Sequence, residues 1–144
     1  MTETRAAGKP VSVVNLAPDV DTSLPKLGDH QEPAWKFVLV RTRERYYFVL
    51  GPVSQFRYHA NLVDQFCRRL QITSTWARRP DLVEVVDPAV EVIGGGHLKL
   101  DSAGKSASIY GHSKAYGSFE RWIVHEITRN HPYFCGLTIS IDCG

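Results

Sequence analysis

The sequence predicts an α+β fold: a single domain built on a mixed β-sheet of about six strands, with two amphipathic helices packed on it. Three features carry that expectation. Short β-branched and aromatic runs recur from Trp35 to Ile141, two segments have an apolar period near four residues, and the elements follow the order β-β-α-β-β-β-α-β. At 144 residues the chain is long enough for one domain and too short for two.

The elements follow in order. Residues 1–33 contain Pro10, Pro18, Pro25 and Pro33, each of which removes a backbone donor and fixes φ, and no period is sustained there. A flexible or strap-like N-terminal segment is expected over 1–33, with Val11–Leu16 able to add an edge strand; the folded domain is expected over 34–144. Trp35–Arg41 and Tyr46–Leu50 read as a hairpin around the charged turn Thr42–Arg45. Pro52 and Ser54 stop the second strand. Tyr58, Leu62, Phe66 and Leu70, joined by Val63 and Cys67, then predict a helix over Phe56–Leu70. Leu82–Val86 and Ala89–Ile93 are short strands around the Asp87-Pro88 turn. Gly94-Gly95-Gly96 reads as a bend or bulge ahead of a second hairpin, Leu98–Leu100 with Ala107–Tyr110, turning at Ser102–Lys105. Gly111–Gly117 is a loop. Ser118 is expected to cap a second helix with Phe119, Trp122, Ile123 and Ile127 inward, ended by Asn130-His131-Pro132. Leu137–Ile141 is the last strand.

Composition narrows the function. Hydrophobic residues make up 43% and charged residues 22%, as in ordinary soluble domains. A net charge of +2 is too small to argue for nucleic acid or a basic membrane-binding surface. Met1–Pro10 lacks the apolar core of a secretory signal, and Cys67, Cys135 and Cys143 form neither a disulfide framework nor a C-x-x-C motif. A reduced, cytoplasmic, monomeric protein is expected.

Several chemistries fail on spacing. A cysteine-dependent phosphatase needs an arginine six residues after its nucleophile, and those places hold Thr73 and Ile141. Asp19-Val20-Asp21 resembles a paired-aspartate phosphatase motif, but follows Pro18 in a polar stretch instead of a buried strand. P-loop, dinucleotide and zinc signatures are absent from the sequence, so no cofactor or metal is expected. Two features remain. Ser113-Lys114-Ala115-Tyr116-Gly117-Ser118 runs through a small-residue loop towards a helix, where unpaired amides and a helix dipole suit an anion. His59 falls in the first turn of the first helix, where the dipole favours the neutral imidazole, a competent base or nucleophile.

The ordered segments Pro18-Asp19-Val20-Asp21, Lys36–Arg41, Tyr58-His59-Ala60, Ile93–Gly96 and Ile109–Gly117 resemble the Janus/Ocnus family in order and approximate spacing. The resemblance implies a metal-independent hydrolase acting on phosphohistidine in proteins, with phospholysine as a related P–N substrate. It places the catalytic histidine on His59, the substrate-binding lysine on Lys36, and the phosphate-binding loop on Ser113, Lys114 and Ala115. Phosphohistidine-containing proteins are the implied partners. A mammalian enzyme of the family carries an arginine before the first helix, where an ungapped alignment places Gly51, and another after the triple glycine, where this chain has His97. Arg45, Arg57, His97 and Lys114 are the candidate auxiliary cations. The resemblance also admits a non-catalytic reading: a phosphoprotein-binding Janus/Ocnus regulator in sex-specific development.

Overall fold

The computed structural model describes residues 5–6, 8–17, 26–30, 32–101, 103 and 105–142. The Asp19-Val20-Asp21 triplet and part of the Ser102–Lys105 turn lie outside these. Among the described residues the fold is α+β, with a mixed seven-stranded sheet, a small two-stranded sheet and two α-helices.

The strands are β1 (Arg5–Ala6), β2 (Lys9–Asn15), β3 (Ala34–Arg41), β4 (Tyr46–Pro52), β5 (Ser74–Arg78), β6 (Leu82–Val85), β7 (Glu91–Asp101), β8 (Ser106–Tyr110) and β9 (Thr138–Asp142). The helices are α1 (His59–Leu70) and α2 (Arg121–Asn130). The large sheet runs β1-β2-β4-β3-β7-β8-β9, and β5 pairs only with β6. The β2–β4 and β8–β9 pairs are parallel; the other neighbours are antiparallel.

Alternation along β3 divides the core between the two faces of the sheet. Trp35, Phe37 and Leu39 point to one side, where Ile123, Val124 and Ile127 of α2 cover them. Val38 and Val40 point to the other, beneath Ala60, Leu62, Val63, Phe66 and Cys67 of α1. Lys36 shares this second face. Because β3 lies between β4 and β7, Lys36 belongs to a central strand, away from the sheet's edges.

The structure corrects several expectations. The bulge expected at Gly94-Gly95-Gly96 is present, as a shift in register against β3 between Val38 and Val40, but it does not interrupt the strand: β7 continues from Glu91 to Asp101. The missing side chains allow close approach. A Cβ on Gly95 would lie 2.7 Å from the Phe37 carbonyl oxygen, and one on Gly96 would lie 2.8 Å from that of Tyr110. The strand β5 escaped the sequence reading because Ser-Thr-Trp-Ala-Arg has little apolar pattern; its partner is one short hairpin arm and it buries little. α1 starts at His59, since the Phe56 amide turns back to the Pro52 carbonyl. α2 starts at Arg121 with Glu120 at its N-cap. Ser118 caps nothing there and instead bridges to Gly95. Trp122, expected inward, is 48% exposed. The strand expected at Val11–Leu16 is present as Lys9–Asn15 beside β4, with the two-residue β1 outside it at the edge.

Candidate functional site

The N-terminus of α1 stands over the middle of β7. Asn61 Oδ1 accepts the Tyr58 amide at 2.9 Å, fixing the first turn and presenting His59 at the first helical position. The His59 side chain reaches down to the triple glycine, where Nε2 lies 2.9 Å from the Gly96 carbonyl oxygen. A carbonyl can only accept, so Nε2 carries the proton and Nδ1 is the basic atom of the neutral ring. Gly95 makes the approach feasible: a Cβ there would sit 3.1 Å from His59 Cδ2. Burial pushes His59 down to about 4, the Gly96 hydrogen bond opposes this, and His97, Lys36 and His112 add repulsion of a positive ring. At neutral pH His59 is an uncharged base.

Strand pairing aligns Gly51, Lys36, His97 and Tyr110 across four strands. Lys36 and His97 border the same cavity as His59, a space of about 440 Å³. Partial burial lowers the Lys36 ammonium below its usual range through desolvation. Gly51, where an aligned arginine was sought, is closed over by Phe56: a Cβ would meet that ring at 2.4 Å. Arg57, six residues later, lines the cavity instead.

The loop from Ser113 to Gly117 forms the opposite wall. Ser113 and Gly117 exchange amide-to-carbonyl hydrogen bonds at 3.1 and 2.8 Å, and the buried Ser113 Oγ accepts the Tyr116 amide at 3.1 Å. The Ser113 amide is thus committed to Gly117. Among the described residues the Lys114 and Ala115 amides have no protein acceptor, so the expected cradle of three amides consists of two. Tyr116 ties the loop to β6, its hydroxyl donating to the Val83 carbonyl at 2.8 Å and accepting the Val83 amide at 3.1 Å. The helix start at this cavity is that of α1, since Glu120 and Arg121 at the start of α2 border a separate depression.

The structure therefore brings His59, Lys36, Ser113, Lys114, Ala115, Arg57 and His97 to one cavity. Arg45 lies elsewhere. It ends the β3–β4 turn, donates to Ser12 Oγ, and stands beyond the far end of β3 from Lys36, roughly 17 Å along the strand. Sequence reasoning missed His112 and Asp81. His112 lies inside the Gly111–Gly117 loop, next to Ser113, where the sequence reading gives it no role. Asp81 comes from the β5–β6 turn, which no local signal directs to the cavity; its carboxylate is held by Arg78 at 2.8 Å. Among the described residues no three His, Cys, Asp or Glu side chains converge as metal ligands, and no helix is long and apolar enough to cross a membrane.

Fold and site together define an α+β domain whose first helix aims a neutral histidine into a pocket of cations and free amides. The Janus/Ocnus family model matches residues 22–134, more than half of the chain, and the protein belongs to that family. No curated protein sequence matches it.

Proposed function

We propose that this protein is a metal-independent protein phosphohistidine phosphatase of the cytoplasm, acting as a monomer on the P–N bond of phosphohistidine and secondarily of phospholysine. One observation carries the reading. His59 is held neutral, with Nε2–H committed to Gly96 and Nδ1 left basic, in the same cavity as Lys36 and the Lys114 and Ala115 amides.

The chemistry asks little more of a protein than placement and charge. The phosphoryl oxygens would rest on the Lys114 and Ala115 amides, with the Ser113 hydroxyl proton available as a third donor. Lys36 and Arg57 would offset the negative charge. His59 Nδ1 takes a proton from a water in line with the P–N bond, the water oxygen bonds to phosphorus, and the P–N pair leaves with the imidazole nitrogen, which takes a proton from solvent. A positioned base of this kind typically contributes ~10²–10⁴-fold in rate.

The test is release of inorganic phosphate from a phosphohistidine-bearing protein, with and without EDTA. Catalytic release that EDTA leaves unchanged supports the proposal. Tight binding without release would favour a phosphoprotein-recognition module, and loss of activity in EDTA would contradict the metal-independent mechanism.

A further inference from the structure

His97 sits in the aligned row between Lys36 and Tyr110. Its ring stacks on Tyr110 with centroids 5.6 Å apart and planes 23° apart, and meets the His59 ring at 5.3 Å and 77°. Gly111, at φ +77°, leaves the ring its space: a Cβ there would come within 2.9 Å of His97 Cδ2. The imidazole is thus fixed by neighbours yet half-buried on the cavity wall, beside the place an oxyanion would occupy.

The charged groups around it are predominantly positive. Lys36 faces it from β3, His112 from the loop, and His59 from α1. Arg57 and Lys114 line the same cavity. Tyr110 contributes an aromatic face, and the carboxylate on the wall, Asp81, is already bonded to Arg78. Burial first, then Lys36 and His112, hold the His97 imidazole below its ordinary range, which favours the uncharged ring at neutral pH.

We propose that His97 takes up a proton as a tetrahedral dianion enters this pocket, making phosphoryl binding by this chain a proton-linked event. The inference rests on reading the cavity as a phosphoryl site, and does not require turnover. A dianion beside the ring reverses the local field that keeps it neutral. Linkage is reciprocal: the factor by which the anion favours the imidazolium is the factor by which the imidazolium favours the anion. Opposite charges a few ångströms apart in a partly screened pocket support a factor of about 10 to 100. An arginine in the same place would stay charged at every working pH and give no such link.

Sulfate tests this directly, because it is a tetrahedral dianion that does not itself titrate near neutrality. It would be titrated into the full chain by calorimetry in buffers of differing ionisation enthalpy, with the His97 ring followed by NMR and inorganic phosphate run in parallel. The expected result is net uptake of about half a proton or more per sulfate at its maximum, an affinity several-fold higher at pH 6 than at pH 8, and a His97 ring that shifts towards imidazolium. His97→Arg should bind without proton uptake, and His112→Asn should retain it. Sulfate binding without protonation of His97, or uptake that persists in His97→Arg, overturns the proposal and leaves the phosphoryl-site reading standing. Failure of both anions to bind at any pH overturns both. Should the variants not fold, the wild-type ring shift decides alone.

Discussion

Replacing His59 with glutamine should remove a large part of the acid sensitivity of folding. The imidazole is 8% exposed, and its folded form binds a proton only near pH 4, against about 6.5 in the unfolded chain. Between those values the unfolded state holds more protons, so stability rises with pH there. The contribution of the neutral ring is complete above about pH 6.5 and lost progressively as pH falls towards 4. At about pH 5 the gap is about 1.5 pH units, or about 2 kcal/mol. For a chain of this length that corresponds to a Tm change of roughly 4–8 °C. Glutamine keeps an amide N–H for the Gly96 carbonyl and carries no titrating charge. Thermal melts by circular dichroism at about pH 7.5 and about pH 5 should therefore show wild type losing about 2 kcal/mol more than His59→Gln. His97 and His131, which burial also holds low, act in both proteins and cancel in the difference. Parallel pH profiles for the two proteins would refute the claim that His59 is buried as the neutral base.

Three further outcomes follow from the same geometry. Lys36→Ala should lower kcat/KM for a phosphohistidine protein by about 10-fold or more, through a lost charge-assisted contact, and an unchanged value would remove Lys36 from the site. Tyr116→Phe leaves the Val83 amide and carbonyl without their partner and should cost about 1–3 kcal/mol in denaturant unfolding, with faster amide exchange in both the loop and β6; unaltered exchange in β6 would show that the tie is unimportant. Gly95→Ala forces a methyl against the Phe37 carbonyl and the His59 ring, so stability should fall by about 1–3 kcal/mol and activity should fall with it; full activity would mean that His59 needs no such close seat.

Much of the fold was legible because it is written in local periods. The β3–β4 hairpin has near-continuous β-branched and aromatic runs, and α1 has a clear four-residue apolar stripe, so both could be read within a residue or three of their ends. The triple glycine was legible as a bulge but not as a close approach, because local conformational freedom and tight tertiary packing select the same residue, and only the neighbours of β7 show that Gly95 and Gly96 serve the second. α2 was started too early for a related reason: Ser118 is a good cap in isolation, but its carbonyl packs where a Gly94 side chain would be. Trp122 is about 100° round the helix from Ile123 and away from the face formed by Ile123, Val124, Ile127 and Thr128, which a loosely drawn apolar face hides.

The site was legible in part. His59, Lys36 and the Ser113–Ala115 loop carry chemical character and a family pattern, and all line one cavity. Cations could not be chosen from sequence, because Arg57 and Arg45 differ only in which end of the β3–β4 hairpin they occupy. Nor could the committed Ser113 amide, the Tyr116–Val83 tie or the His97–Tyr110 stack be seen: the first depends on how the loop closes on Gly117, and the other two join residues that only the tertiary fold brings together.

The most direct measurement is phosphate release from a phosphohistidine-bearing protein by wild type and by His59→Ala, at equal folded concentration checked by circular dichroism. Wild type should turn over repeatedly and His59→Ala should lose ~10²–10⁴-fold in kcat while still binding the phosphoprotein. A His59→Ala protein that releases phosphate at the wild-type rate would contradict the assignment of His59 as the base.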